Sequence, residues 1–136
     1  MEGTFERFPW TFARIRGRNG CVREYKAAFN FFSDYSFFPK VDAFRLGYPE
    51  VGYTELVTTP PNLTYFSTTN GMNEGIMIKI EEVAVGLILV PNVEFIAFEI
   101  SQAACFDVVL GKSFLQSLKF EVDFHEGRFR LSQSGA

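Results

Sequence analysis

Apolar and polar residues alternate over residues 11–16 (TFARIR) and again over residues 21–29 (CVREYKAAF), with Arg18-Asn19-Gly20 between the two runs. A period of two puts every second side chain on one face of a strand, and an Asn-Gly pair suits the left-handed backbone of a tight hairpin turn. The chain is expected to open as two antiparallel strands, the second of which delivers Asn30 at its end.

Farther along, PKVDAFRL (residues 39–46) fits a short helix over 41–46, with Pro39 near its first turn and Gly47 as the left-handed residue that stops it. Residues 53–58 and 63–68 read as strands on either side of the Pro60-Pro61 break, and residues 70–75 (NGMNEG) as a polar, glycine-bounded turn. Ile76, Ile78 and Ile80 then alternate with Met77, Lys79 and Glu81. Residues 83–90 (VAVGLILV) continue as buried strand, and residues 95–100 form another beyond Pro91-Asn92. Near the C-terminus come an apolar strand ending in glycine (residues 106–111, FDVVLG) and a short helix at 114–118 with Ser113 as its N-cap. A closing hairpin of residues 119–124 and 127–131 turns around His125-Glu126-Gly127. Strands dominate, so the expected fold is mainly β: a closed, mostly antiparallel β-barrel with two short helices, in one domain over residues 1–136.

Composition agrees with a packed β fold and narrows the partners. The chain has 136 residues, 47% of them hydrophobic and 17% aromatic, with 17 Phe. That is far from the composition of a disordered chain, and aromatic residues favour strands. A net charge of −3 gives no general attraction to a polyanion, so nucleic acid is not an expected partner. The opening MEGTFERFPW has no signal-peptide pattern and VAVGLILV is too short to span a bilayer, which leads to the expectation of a soluble, cytoplasmic protein with no membrane partner. For the same reason the sequon Asn62-Leu63-Thr64 carries no functional reading.

Candidate chemistry is sparse. Cys21 and Cys105 are too far apart for a redox or zinc pair and read as two free, buried thiols, a single bridge being the alternative. His125, the only histidine, would need Asp123 and Glu126 to hold a metal, and a solvated hairpin turn is the simpler reading; no metal and no cofactor are expected. Arg14, Arg16, Arg18 and Arg23 cluster on the first hairpin beside glutamates and read as a solvated face.

Two blocks resemble one family. Residues 106–131 (FDVVLGKSFLQSLKFEVDFHEGRFRL) are similar to the end of retropepsin-like aspartic proteases: an acidic residue, aliphatics and Gly, a short helix containing Phe-Leu, then two closing strands. Residues 25–29 (YKAAF), the tail Tyr35-Ser36-Phe37-Phe38-Pro39 and the helix end Leu46-Gly47-Tyr48 are similar to the segments around that family's catalytic signature. The resemblance implies a barrel of retropepsin type that works as a homodimer, with a flap at or beside Gly71 and Gly75.

The same alignment lays Asn30 on the family's catalytic Asp, Phe31 on its Thr, Phe32 on its Gly and Ser33 on its Ala. In the family, one Asp from each subunit shares a proton with its twin, and the pair activates water. An amide neither ionises nor takes up a proton near neutral pH, and a Phe in place of Gly would crowd the site. The resemblance therefore implies a degenerate site in a non-catalytic homodimer, acting as an assembly module or holding an extended peptide. The alternative is an active endopeptidase that uses Asp34, reached by sliding the alignment four residues. Without that role Asp34 reads as a solvated or turn-capping carboxylate. For Phe31, Phe32, Phe37 and Phe38 two readings stand, core packing or filling of the former active site at a dimer contact.

Overall fold

Strand β2 (Trp10–Arg16) pairs antiparallel with β3 (Val22–Phe29), Trp10 opposite Ala28 and Arg16 opposite Val22. The Asn-Gly turn joins them as expected: Gly20 is left-handed at φ 84°, and the Asn19 side-chain oxygen accepts the Cys21 N–H at 3.0 Å. Ala13 and Ile15 point into the core while Phe12, Arg14 and Arg16 point out, which is the alternation read from the sequence. The computed structural model describes residues 1–52, 63–68, 71–100 and 106–133. The strand expected over residues 53–58, the Pro60-Pro61 break and Cys105 lie outside them. Before β2, β1 (Glu2–Thr4) starts the chain.

After β3 come β4 (Ser36–Pro39), α1 (Lys40–Arg45), a 3-10 turn (Pro49–Gly52), β5 (Leu63–Thr68), β6 (Gly71–Val85), β7 (Ile88–Phe98), β8 (Val108–Leu110), α2 (Lys112–Leu115), β9 (Leu118–Asp123) and β10 (Arg128–Gln133). Six strands close a barrel in the order β2-β3-β8-β4-β7-β6, with β6 returning to β2 through Arg14–Ala84 and its neighbours. Strand β5 extends the sheet from β6. The fold is thus mainly β, with a closed barrel and two short helices among the described residues. Most pairings are antiparallel, but β3–β8 and β4–β7 run parallel. No helix among them is long and apolar enough to cross a membrane.

The end of α1 is set by local chemistry. Gly47 is left-handed at φ 92°, its N–H bonds the Phe44 carbonyl at 3.1 Å, and the Tyr48 N–H reaches back to Ala43 at 3.2 Å. This two-bond pattern satisfies the last carbonyls, and it packs Tyr48 and Ala43 together, both fully buried.

Four expectations need correction. Residues 71–75 are not a turn: they are the first part of β6, paired with β5 from Thr68–Gly71 to Leu63–Ile76. Residues 83–90 are not one strand, because Val85 faces Ile88 and the two residues between them, Gly86 and Leu87, turn the chain. Gly86 supplies the positive φ (60°) that such a turn wants at its first central position, and Leu87 is fully exposed. The second helix lies at Lys112–Leu115 rather than 114–118, and Gly111, not Ser113, occupies its N-cap position. Ser113 is drawn instead into a tertiary contact described below. Cys21 is a free thiol as expected, but it is exposed rather than buried, since it sits at the hairpin turn.

A second sheet has the order β1-β10-β9. Its Phe120 and Phe129 meet Phe29 at ring distances of 5.1 and 5.4 Å. Phe29 is the last residue of β3, so this contact anchors the strand end from which Asn30 emerges.

Candidate functional site

The loop between β3 and β4 begins at Asn30, whose N–H bonds the Leu110 carbonyl at 3.0 Å and carries the parallel pairing one residue past β3. Its side-chain oxygen accepts the Phe32 N–H at 3.0 Å, and its carbonyl accepts the Ser33 N–H at 3.3 Å. Ser33 donates its hydroxyl to the Tyr35 carbonyl at 2.8 Å, and its own carbonyl accepts the Lys112 N–H at 2.8 Å. Asn30 and Ser33 therefore hold the turn. Asp34 does not cap it: its side chain is exposed and bonded to no described residue, so the solvated reading stands and the turn-capping one falls.

Beneath the loop sits a buried polar knot. Ser36 is fully buried; its N–H bonds Ser113 Oγ at 3.1 Å, and its own Oγ accepts the Gly111 N–H at 2.9 Å. The two hydroxyl oxygens share a hydrogen bond at 2.7 Å, and Ser113 also donates to the Glu94 carbonyl at 2.7 Å. These bonds tie β4, β7 and the start of α2 together. Gly111 is tight for a further reason: a Cβ there would overlap the Tyr35 carbonyl oxygen and lie 2.8 Å from that of Ser33.

The aromatics of the loop divide. Phe38 is fully buried and stacks edge-on against Tyr25 and Phe95, at 5.1 and 5.8 Å. Phe37 is half-buried with Phe66 and Phe98, at 5.1 and 5.3 Å. Phe31 and Phe32 are not core residues. They touch each other at 4.4 Å and are 42% and 86% exposed. Core packing thus accounts for Phe38 and half of Phe37, and fails for the pair next to Asn30.

Beside Asn30 lies an open cavity of about 260 Å³. Six phenylalanines line it (Phe8, Phe29, Phe31, Phe32, Phe106 and Phe124), and Asn30 is the one polar side chain among its described walls. Phe8 and Phe106 meet edge to face at 5.7 Å. No carboxylate, histidine or lysine reaches this space from the described residues, and Asp34 is not among its walls. Phe8, Phe106 and Phe124 were not singled out from the sequence; three separate segments bring them together, and no local pattern marks them.

The remaining candidates lie elsewhere. His125 is exposed in the turn after β9, where Asp123 accepts the Glu126 N–H at 3.0 Å and is occupied in shaping the turn. Among the described residues no group of three His, Cys, Asp or Glu is placed to hold a metal ion. The hairpin arginines are all engaged: Arg14 with the Gly86 carbonyl, Arg16 with Glu82, Arg18 with Glu50 and Arg23 with Asp42. Arg18 also stacks over the Tyr48 ring at 4.7 Å.

No protein-family model matches the chain, and no curated protein is significantly similar to it in sequence. Among solved structures, the chain is similar to the crystal structure of a retropepsin-like aspartic protease from Rickettsia conorii, at 18% identity over 97% of this chain and 100% of that one, with a TM-score of 0.54. It is also similar to the solution structure of simian foamy virus protease, at 13% identity over 79% of this chain and 92% of that one, with a TM-score of 0.47. The first of these carries the likeness: the chain has the retropepsin-like fold.

Proposed function

We propose that this chain is a non-catalytic retropepsin-like domain, a homodimer that binds an extended protein segment or serves as an assembly module. The observation that carries this reading is the cavity at the end of β3, where the one polar wall is the amide of Asn30 and the rest is phenylalanine. Peptide hydrolysis by paired carboxylates needs one group to take a proton from water and another to protonate the carbonyl. Asn30 can do neither, and its oxygen is already spent on the Phe32 N–H. An apolar space rimmed by backbone and aromatic rings suits an extended segment with apolar side chains better than it suits hydrolysis.

The test is incubation with an unfolded protein substrate at acidic and neutral pH, with and without a transition-state mimic of peptide hydrolysis. The expected result is no cleavage at either pH. Acid-dependent cleavage that disappears in Asp34→Asn would replace this reading with that of an active endopeptidase using Asp34.

A further inference from the structure

We infer that Phe32 is the anchor of a two-fold contact between two copies of this chain, its ring seated in the phenylalanine-lined cavity beside Asn30 of the other copy. The inference rests on the homodimer proposed above and names the residue that makes it. Phe32 is the most exposed aromatic side chain among the described residues, at 86%. It is not on a loose loop. The Phe32 N–H is bonded to Asn30 Oδ1; Asn30, two residues before it, is fixed to Leu110, and Ser33, next after it, to Lys112. An exposed ring on a backbone held in this way is pre-organised for insertion, because little further ordering is needed on contact.

The receiving space has matching size and chemistry. A closed apolar cavity of about 150 Å³ accommodates benzene, and this one has about 260 Å³ with a single polar wall. A charged or strongly polar ligand would find only the Asn30 amide there, whereas a phenyl ring would meet apolar walls on the other sides. Phe32 also stands at the rim of the same cavity, so knob and hole share one face. A two-fold contact requires this placement: each copy must present both halves of the contact on one patch. Phe31, Phe32 and Phe124, at 42%, 86% and 62% exposure, leave bare roughly 400 Å² if a Phe side chain is worth about 200 Å². That is about half of what one partner buries in a stable interface and is enough for its apolar centre.

The experiment is sedimentation equilibrium of the full chain from low micromolar to several hundred micromolar, for wild type, Phe32→Ala and Phe32→Leu, with circular dichroism to check folding. Wild type is expected to show a monomer–dimer equilibrium. Phe32→Ala should remain folded, because the side chain is exposed, and should raise Kd by roughly a hundred-fold or more, since two rings are withdrawn at once. Phe32→Leu, which keeps most of the apolar volume, should stay within about ten-fold of wild type. A dimer whose Kd is unchanged by Phe32→Ala would overturn the anchor while leaving the dimer intact. A wild-type monomer throughout the range would overturn both. A monomer that binds a short phenylalanine-containing peptide would assign the cavity to a peptide side chain instead.

Discussion

The side-chain oxygen of Asn30 accepts the backbone N–H of Phe32 at 3.0 Å, so this residue holds its own turn. This makes Asn30→Asp informative. In an isolated chain a carboxylate at position 30 would accept the same N–H and be stabilised as the anion, with a pKa below its unfolded value near 4. Its contribution to stability would then grow as pH rises. Across a two-fold axis, two such carboxylates facing each other repel, and at least one pKa rises above the unfolded value. The protonated form is then favoured in the folded dimer, and stability falls as pH rises through the raised value.

We predict the second sign. Between about pH 4 and pH 8, Asn30→Asp should lose stability relative to wild type, by about 1.4 kcal/mol for each unit of upward shift. Thermal unfolding of both proteins across that range measures it. A difference that shrinks with pH, or stays flat, would mean that residue 30 does not face its twin.

A second prediction concerns Ser36 and Ser113. A carbonyl can only accept, so the Ser113 hydroxyl hydrogen goes to Glu94 and the hydrogen between the two hydroxyls comes from Ser36. Ser36→Ala removes the hydroxyl that accepts the Gly111 N–H; Ser113→Ala removes both the acceptor of the Ser36 N–H and a donor to the Glu94 carbonyl. Each change should cost about 1–3 kcal/mol, with Ser113→Ala the larger. The double variant should cost less than the sum by about 0.5 kcal/mol or more, because both act on one network. Urea unfolding of the four proteins in a cycle decides it, and strict additivity would count against a shared network.

These serines also show where sequence reading stops. The β2–β3 hairpin, the Gly47 cap of α1 and the closing hairpin were legible because each is decided by residues within a few positions of one another. Ser113 fitted an N-cap pattern locally, yet its partner Ser36 is 77 residues away, and the buried tertiary bond won over the local one. The turn at Gly86 was hidden because apolar residues run through both strands and the turn itself without a polar break, the exposed Leu87 and Leu89 included. Asn30 was legible as the end of a strand. Its cavity was not, since Phe8, Phe106 and Phe124 converge only through the topology, and a phenylalanine count cannot tell an exposed Phe32 from a buried Phe38.

A third prediction follows from Gly111. The atoms that a Cβ would meet are backbone carbonyl oxygens of Tyr35 and Ser33, not side-chain tips that can swing away. Gly111→Ala must push the 33–35 segment outward and break the Lys112–Ser33 bond with it. A loss of about 3 kcal/mol is expected, which for a chain of 136 residues corresponds to roughly 10 °C in Tm. A variant that melts within a degree or two of wild type would show that the loop is far more pliant than its bonding implies.

The last prediction is a pH dependence built into the barrel. Tyr25 projects inward from β3 and stacks on Phe38 at 5.1 Å, and its hydroxyl is buried without a hydrogen-bond partner among the described residues. Burial, with the Asp42 carboxylate adding to it and the nearby Arg23 guanidinium, which makes no well-formed hydrogen bond to the hydroxyl, opposing it in part, pushes the phenol up to about 12 from the usual 10. An acid whose folded pKa is raised favours folding while protonated. The stabilisation is complete below pH 10 and is lost as pH climbs from 10 towards 12, where the unfolded chain releases its proton first. A two-unit shift corresponds to about 2.7 kcal/mol at most, and a contribution of roughly 1–2 kcal/mol is expected. Tyr25→Phe removes the ionising group and the unpartnered hydroxyl together. At neutral pH its stability should equal or exceed that of wild type by up to about 1 kcal/mol, and above pH 10 the advantage should widen. Urea unfolding of both proteins at closely spaced pH values from 7 to 12 cancels the lysines and other tyrosines that titrate in common. A constant difference across that range would show that the Tyr25 hydroxyl is solvated in the folded protein.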